Sequence, residues 1–175
     1  VDVIDNKNSN YMTGAIWFAY KNYNSKFYYF LHDSTEVLRN LATYENKRVS
    51  PVMVSKDWLW PTHDVPKLED SPRDSVWAEE QVTKTDLEFK ESGFYMVVGP
   101  MFVIARSVLS KLKKMNFDAI MPRKKSEMEV MERLWGMAFD HLGFNLEENT
   151  ILNIEKHGGQ RYESVYGFQN LNLPG

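Results

Sequence analysis

Side chains able to bind a cation or move a proton stand at three places along the chain. His32 and Asp33, followed by Ser34, come directly after an apolar run, residues 27–31, that reads as a buried strand. Glu127, Glu129 and Glu132, with Arg133 beside the last, form an acidic ladder inside a helical pattern. His157 precedes Gly158 and Gly159 after the last apolar run. Ligands of open α/β sheets bind outside the carboxyl ends of the strands. A carboxylate at Asp33 therefore suits a hard divalent cation, Mn²⁺ or Mg²⁺, that bridges phosphate oxygens. Capping the helix expected next is an equally natural job for Asp33 and Ser34. Glu129 forms a Ser-x-x-Glu capping box with Ser126. The ladder reads as a solvated helix face, or, for Glu132 beside Leu134 and Trp135, as a group aimed into a cleft. The four histidines include no i, i+4 pair of the metalloprotease kind. His157 is then either solvent-exposed or a late contributor to a shared metal or diphosphate.

The elements that must position these groups follow from periodicity and punctuation. Residues 11–20 read as a buried helix and 27–31 as a central strand with apolar residues on both faces. A helix capped at Ser34 or Thr35 is expected to carry Val37, Leu38 and Leu41 on one face. Residues 51–54 read as a short strand. Trp58, Trp60, Pro61, Pro66 and Pro72 then punctuate an irregular excursion that forbids a long helix. Residues 94–98 form a second strong strand, Gly99-Pro100 interrupts, and residues 101–104 continue apolar into a helix over 106–114. The helix over 126–142 has Met128, Met131, Leu134, Trp135, Ala138, Phe139 and Leu142 at spacings of three and four, with Gly143 as its stop. Residues 151–154 read as a last short strand. This order of strands and helices predicts an α/β domain, a mixed sheet flanked by helices, in a single unit over residues 1–175.

Composition narrows the classes. The chain has 175 residues, a net charge of −3 and 14% aromatic residues. One domain is the expected count at this length. The charge argues against general binding to a nucleic acid polymer, apart from a local basic patch at Arg123, Lys124 and Lys125. There is no cysteine, so disulfides, thiolate zinc sites and cysteine nucleophiles are excluded. No apolar run approaches the roughly 18 residues that span a bilayer, so no transmembrane segment is expected, and a cytoplasmic setting fits. Walker, G-x-G-x-x-G and G-x-S-x-G motifs are absent.

Taken in order, three segments resemble the latter part of a nucleotide-sugar glycosyltransferase with the A-type α/β fold. "NSNYMTGAIWFAYKNYNSKFYYFLHDS" resembles an Asn-rich turn, a Gly-containing helix and a strand ending in an Asp-x-Asp-type motif. "GFYMVVGPMFVIARSVLSKLKKMNFDA" resembles a strand and Gly-containing turn leading to an apolar strand, an Arg and a helix. "EMEVMERLWGMAFDHLGFN" resembles the helix that follows, with acidic residues at its start. The resemblance implies that Asp33, flanked by His32 and Ser34, binds metal and donor diphosphate, and that His157 joins the metal. It implies that Gly99 and Met101 line the acceptor side. One of Glu127, Glu129 and Glu132 would deprotonate the acceptor hydroxyl in an inverting displacement while Mn²⁺ or Mg²⁺ stabilises the departing diphosphate. The motif holds one carboxylate, His-Asp-Ser, where the family pattern has two. The family also places its base- and ribose-binding strands upstream, and only 32 residues precede Asp33. The chain is thus expected to be an N-terminally truncated portion of such a domain, or a minimal form without normal nucleotide binding.

Two functions follow from this reading. One is transfer of a sugar from a nucleotide-sugar donor to a glycan or other hydroxyl acceptor. The other is a non-catalytic carbohydrate-binding or assembly domain on the same scaffold, with the Trp58 and Trp60 excursion as its contact surface.

Overall fold

Strand Phe102–Ala105 is buried along its whole length and pairs with a strand on each side. A computed structural model describes residues 11–31, 35–37, 40–55, 74–151 and 168–170, with backbone alone at 35–37, 74–75 and 168–170. In chain order the elements are α1 (Tyr11–Asn22), β1 (Phe27–Phe30), β2 (Thr35–Val37), a 3-10 segment (Leu41–Lys47), β3 (Val49–Pro51) and β4 (Val54–Ser55). They continue with α2 (Asp74–Val82), β5 (Met96–Val97), β6 (Phe102–Ala105), α3 (Arg106–Lys114), a second 3-10 segment (Phe117–Ala119), α4 (Lys125–His141), α5 (Leu146–Asn149) and β7 (Phe168–Asn170).

The main sheet has the order β1-β6-β3, and two further pairs are β2-β7 and β4-β5. Every described pair is antiparallel. The chain is α/β in content, but the mixed sheet that the element order predicts is not what these strands form. The reason lies after β1. Residues 35–37, expected to open a helix, are extended and pair with residues 168–170, so no helical crossover returns the chain to a parallel neighbour.

Alternation along the strands divides the core in two. Tyr28 and Phe30 of β1 and Phe102 and Ile104 of β6 enter the main core, whereas Val103 joins a smaller cluster with Leu41, Val52, Met101 and Ile151. Tyr29 faces solvent, and its hydroxyl donates to Glu45. Burial on both faces, expected for β1, therefore belongs to β6. Among the described strands β1 lies at the edge of the sheet, with one buried face.

Helix α4 is the central helix, packed against α1, α2, β5 and α5. Trp135 sits at its middle, fully buried, with Trp17 stacked at 6.1 Å and Phe102 and Phe117 at 5.3 and 4.8 Å between ring centroids. Its indole N–H donates to the buried Thr13 hydroxyl at 3.5 Å. At the next residue, a Cβ on Gly136 would lie 1.8 Å from the Tyr95 carbonyl oxygen. Only glycine lets the helix approach the β5 backbone so closely.

Arg106 ties three elements at the start of α3. Its guanidinium donates to the Tyr20 and Tyr23 carbonyls at 3.0 and 2.7 Å and to the Tyr28 hydroxyl, and lies 4.4 Å above the Tyr20 ring. The α3 residues Val108, Leu109 and Leu112 are buried, as their spacing predicts. Among the described residues no helix is long and apolar enough to cross a membrane.

Candidate functional site

The carboxyl ends of three strands gather at one edge of the strand array. Phe30 and Pro51, the last residues of β1 and β3, both pair with Phe102, the first residue of β6. β5 ends at Val97 and reaches Phe102 through the turn Gly99-Pro100-Met101. That turn is fastened by backbone bonds from Val52 to the Met101 carbonyl at 2.9 Å and from Val98 to the Met53 carbonyl at 3.1 Å. Gly99 has φ +64°, a left-handed conformation that a side chain would strain. Leu31, the residue after β1, packs with Met101 in the smaller apolar cluster. The structure thus brings the end of β1 and the Gly99–Met101 turn together.

Of the three ladder carboxylates, only Glu132 reaches this edge. Its Oε1 accepts the Gly99 backbone N–H at 2.8 Å. The residue is half-buried. Burial pushes its carboxyl above the usual range; the Gly99 hydrogen bond and the Arg133 charge pull it down, and the Glu129 charge adds to the rise. Arg133 itself is buried and donates to the Glu129 carbonyl at 3.2 Å. The net result is a carboxylate of increased basicity, fixed through one oxygen by a backbone amide.

The other two glutamates have different positions. Glu127 accepts the backbone N–H groups of Arg123 and Lys124, at 2.6 and 3.3 Å, where helix α4 begins. The capping glutamate is therefore Glu127, and the Ser126–Glu129 box expected from the sequence is displaced by two residues, because the helix starts at Lys125. Glu129 is exposed. Arg123, Lys124 and Lys125 are exposed at the same helix start.

Met101 is buried in the smaller cluster, so it supports the turn from beneath. His32, Asp33, Ser34, Trp58, Trp60 and His157 lie outside the described residues. Among the described residues no group of three His, Asp or Glu side chains is placed to hold a metal ion. The contact that sequence reading does not give is the hydrogen bond from the Gly99 amide to Glu132, signalled in the sequence by a Gly-Pro pair between two apolar strands.

Comparison of the chain with protein-family models, with curated proteins and with solved structures finds no match.

Proposed function

We propose that this chain is a glycosyltransferase-like domain that moves a sugar from a nucleotide-sugar donor to a hydroxyl acceptor, with Glu132 as the proton-accepting carboxylate. The observation that carries this reading is the Glu132–Gly99 hydrogen bond, which holds a half-buried carboxylate at the edge where the strand ends gather. Turns held at the end of a packed set of strands commonly carry binding and catalytic groups. A carboxylate of raised proton affinity is a stronger base toward a hydroxyl than an exposed one. As the acceptor oxygen bonds to the sugar's anomeric carbon, its proton passes to Glu132 and the bond to the nucleotide diphosphate breaks. Gly99 orients the base, and buried Met101 anchors the turn that carries Gly99.

By the resemblance, a divalent cation would be held by Asp33 and His157 and would stabilise the departing diphosphate. No described set of side chains fits such an ion, and the proton transfer written above needs only Glu132 and the acceptor. Asp33 stands two positions beyond Leu31 in the chain, which is the support for placing the donor diphosphate at the same edge.

The test is thermal unfolding with uridine and guanosine diphosphates, each with and without Mn²⁺. Binding at roughly a hundredfold excess over Kd is expected to raise Tm by about 5 °C or more. Asp33→Ala is expected to remove the metal-dependent part of that rise. Absence of stabilisation by either nucleotide would rule out donor binding by this chain.

A further inference from the structure

We infer that residues 34–47 form a two-state segment: a strand and a 3-10 turn while Phe168–Asn170 pairs with it, and one continuous α-helix once that pairing is lost. The local sequence is helical throughout. Asp33 is followed three residues later by Glu36, just before Val37 and Leu38, which is a helix-start signature. Val37, Leu38, Leu41 and Tyr44 then recur at spacings of three and four. No glycine or proline interrupts residues 34–47.

The structure divides this one pattern between two conformations. Thr35–Val37 is extended and pairs antiparallel with Phe168–Asn170. Leu41–Lys47 is a 3-10 run of seven residues, whereas such runs rarely exceed about four. A longer run marks a hinge or a helical sequence under strain. Leu41 is buried, and Tyr44 packs against the same smaller cluster. The apolar face that Val37 and Leu38 would extend is therefore already seated.

What holds the strand state is small. β2 and β7 have three residues each and form a two-stranded sheet that no other described strand joins. A lone two-stranded ribbon is marginal in water. Against it stands a helix whose nucleus, the costly step of helix formation, is supplied by the turns at 41–47. Asn40 marks the boundary. Its side chain accepts the Ala42 N–H at 3.0 Å and starts the 3-10 run there. In the continuous helix Asn40 becomes an interior residue, and Asp33 or Ser34 is the cap. Two packings of one sequence that differ by so few interactions make a switch. Under the function proposed above, β7 would set whether Asp33 caps a helix or serves the donor diphosphate; that consequence rests on that reading, and the switch does not.

Backbone NMR of the full chain tests the switch without any nucleotide, so a chain that binds no donor still decides it. Cα shifts at residues 35–37 of the parent should be those of a strand. Phe168→Pro, Gln169→Pro and Asn170→Pro together remove every N–H that β7 can donate. In that variant the Cα shifts of residues 35–47 should move to helical values, while β6 and α4 keep theirs. Adding Leu38→Pro should return residues 35–37 to non-helical shifts, because a proline drives the residue before it out of the helical region. Asn40→Ala tests the same equilibrium with β7 unaltered, by removing the cap of the 3-10 run and placing the strongest helix former in the interior. Its shifts at 35–37 should move toward helical values. The inference is overturned by helical shifts at 35–37 in the parent, or by strand or coil shifts there in the β7 variant. If the β7 variant does not fold, unchanged shifts in Asn40→Ala overturn it.

Discussion

Gly99 donates its backbone N–H to the Glu132 carboxylate at 2.8 Å, joining the turn before β6 to the middle of α4. Short of proline, no substitution at position 99 removes the donor itself, so the contact depends on the turn's conformation and on the carboxylate. Each partner can be altered separately.

Glu132→Gln keeps an acceptor oxygen for Gly99 and removes the charge. Sugar transfer is expected to fall about 10² to 10⁴-fold, the usual contribution of a general base. Stability should move the other way. The folded state raises the Glu132 pKa, so it binds the proton more tightly than the unfolded chain does. The associated stability is fully present below the unfolded carboxylate pKa and is lost as pH rises through the folded value. Glu132→Gln removes that loss, so its Tm advantage over the parent chain should grow from acidic to neutral pH. Paired melting curves across that range check it.

Gly99→Ala places a side chain at φ +64°. The strain costs about 1 kcal/mol, and any relaxation moves the amide away from Glu132. Activity should fall while nucleotide-induced stabilisation is retained, which separates orientation of the base from donor binding.

Glu127→Ala removes the acceptor for the Arg123 and Lys124 amides. A loss of about 1 kcal/mol is expected from a helix start deprived of its cap. Activity at a temperature well below Tm should be unchanged. A collapse of activity in this variant would move the proton-accepting role away from Glu132.

Gly136→Ala drives a Cβ to 1.8 Å from the Tyr95 carbonyl oxygen, and backbone cannot yield as a flexible side chain does. Separation of α4 from β5 should cost about 1 to 3 kcal/mol or more, read as a lower denaturant midpoint. Because α4 carries Glu132, activity should fall with stability in this variant, unlike in Glu127→Ala.

What the sequence made legible follows from how local each determinant is. β1, β6, α3 and α4 are announced by apolar runs or by spacings of three and four, and they form within a residue or two of those signals. β2 is not, because residues 35–37 are held extended by pairing with residues 168–170 at the far end of the chain, and distant pairing overrides a local helical cap. Helix α2 went unread since it follows a proline-rich stretch and has little apolar asymmetry. At the site, the residue types were visible and their division of labour was not. Three glutamates within six positions look alike on paper. Which one caps the helix depends on where α4 starts, and which one accepts a distant backbone amide depends on the Gly99 turn arriving from another part of the chain.

The most direct measurement is release of nucleoside diphosphate from uridine- and guanosine-diphosphate sugars in the presence of hydroxyl acceptors, comparing the parent chain, Glu132→Gln and Glu127→Gln. Turnover by the parent and by Glu127→Gln, with a loss of about 10²-fold or more in Glu132→Gln, is the expected result. Equal turnover by Glu132→Gln and the parent, or no release from any nucleotide sugar, would contradict it.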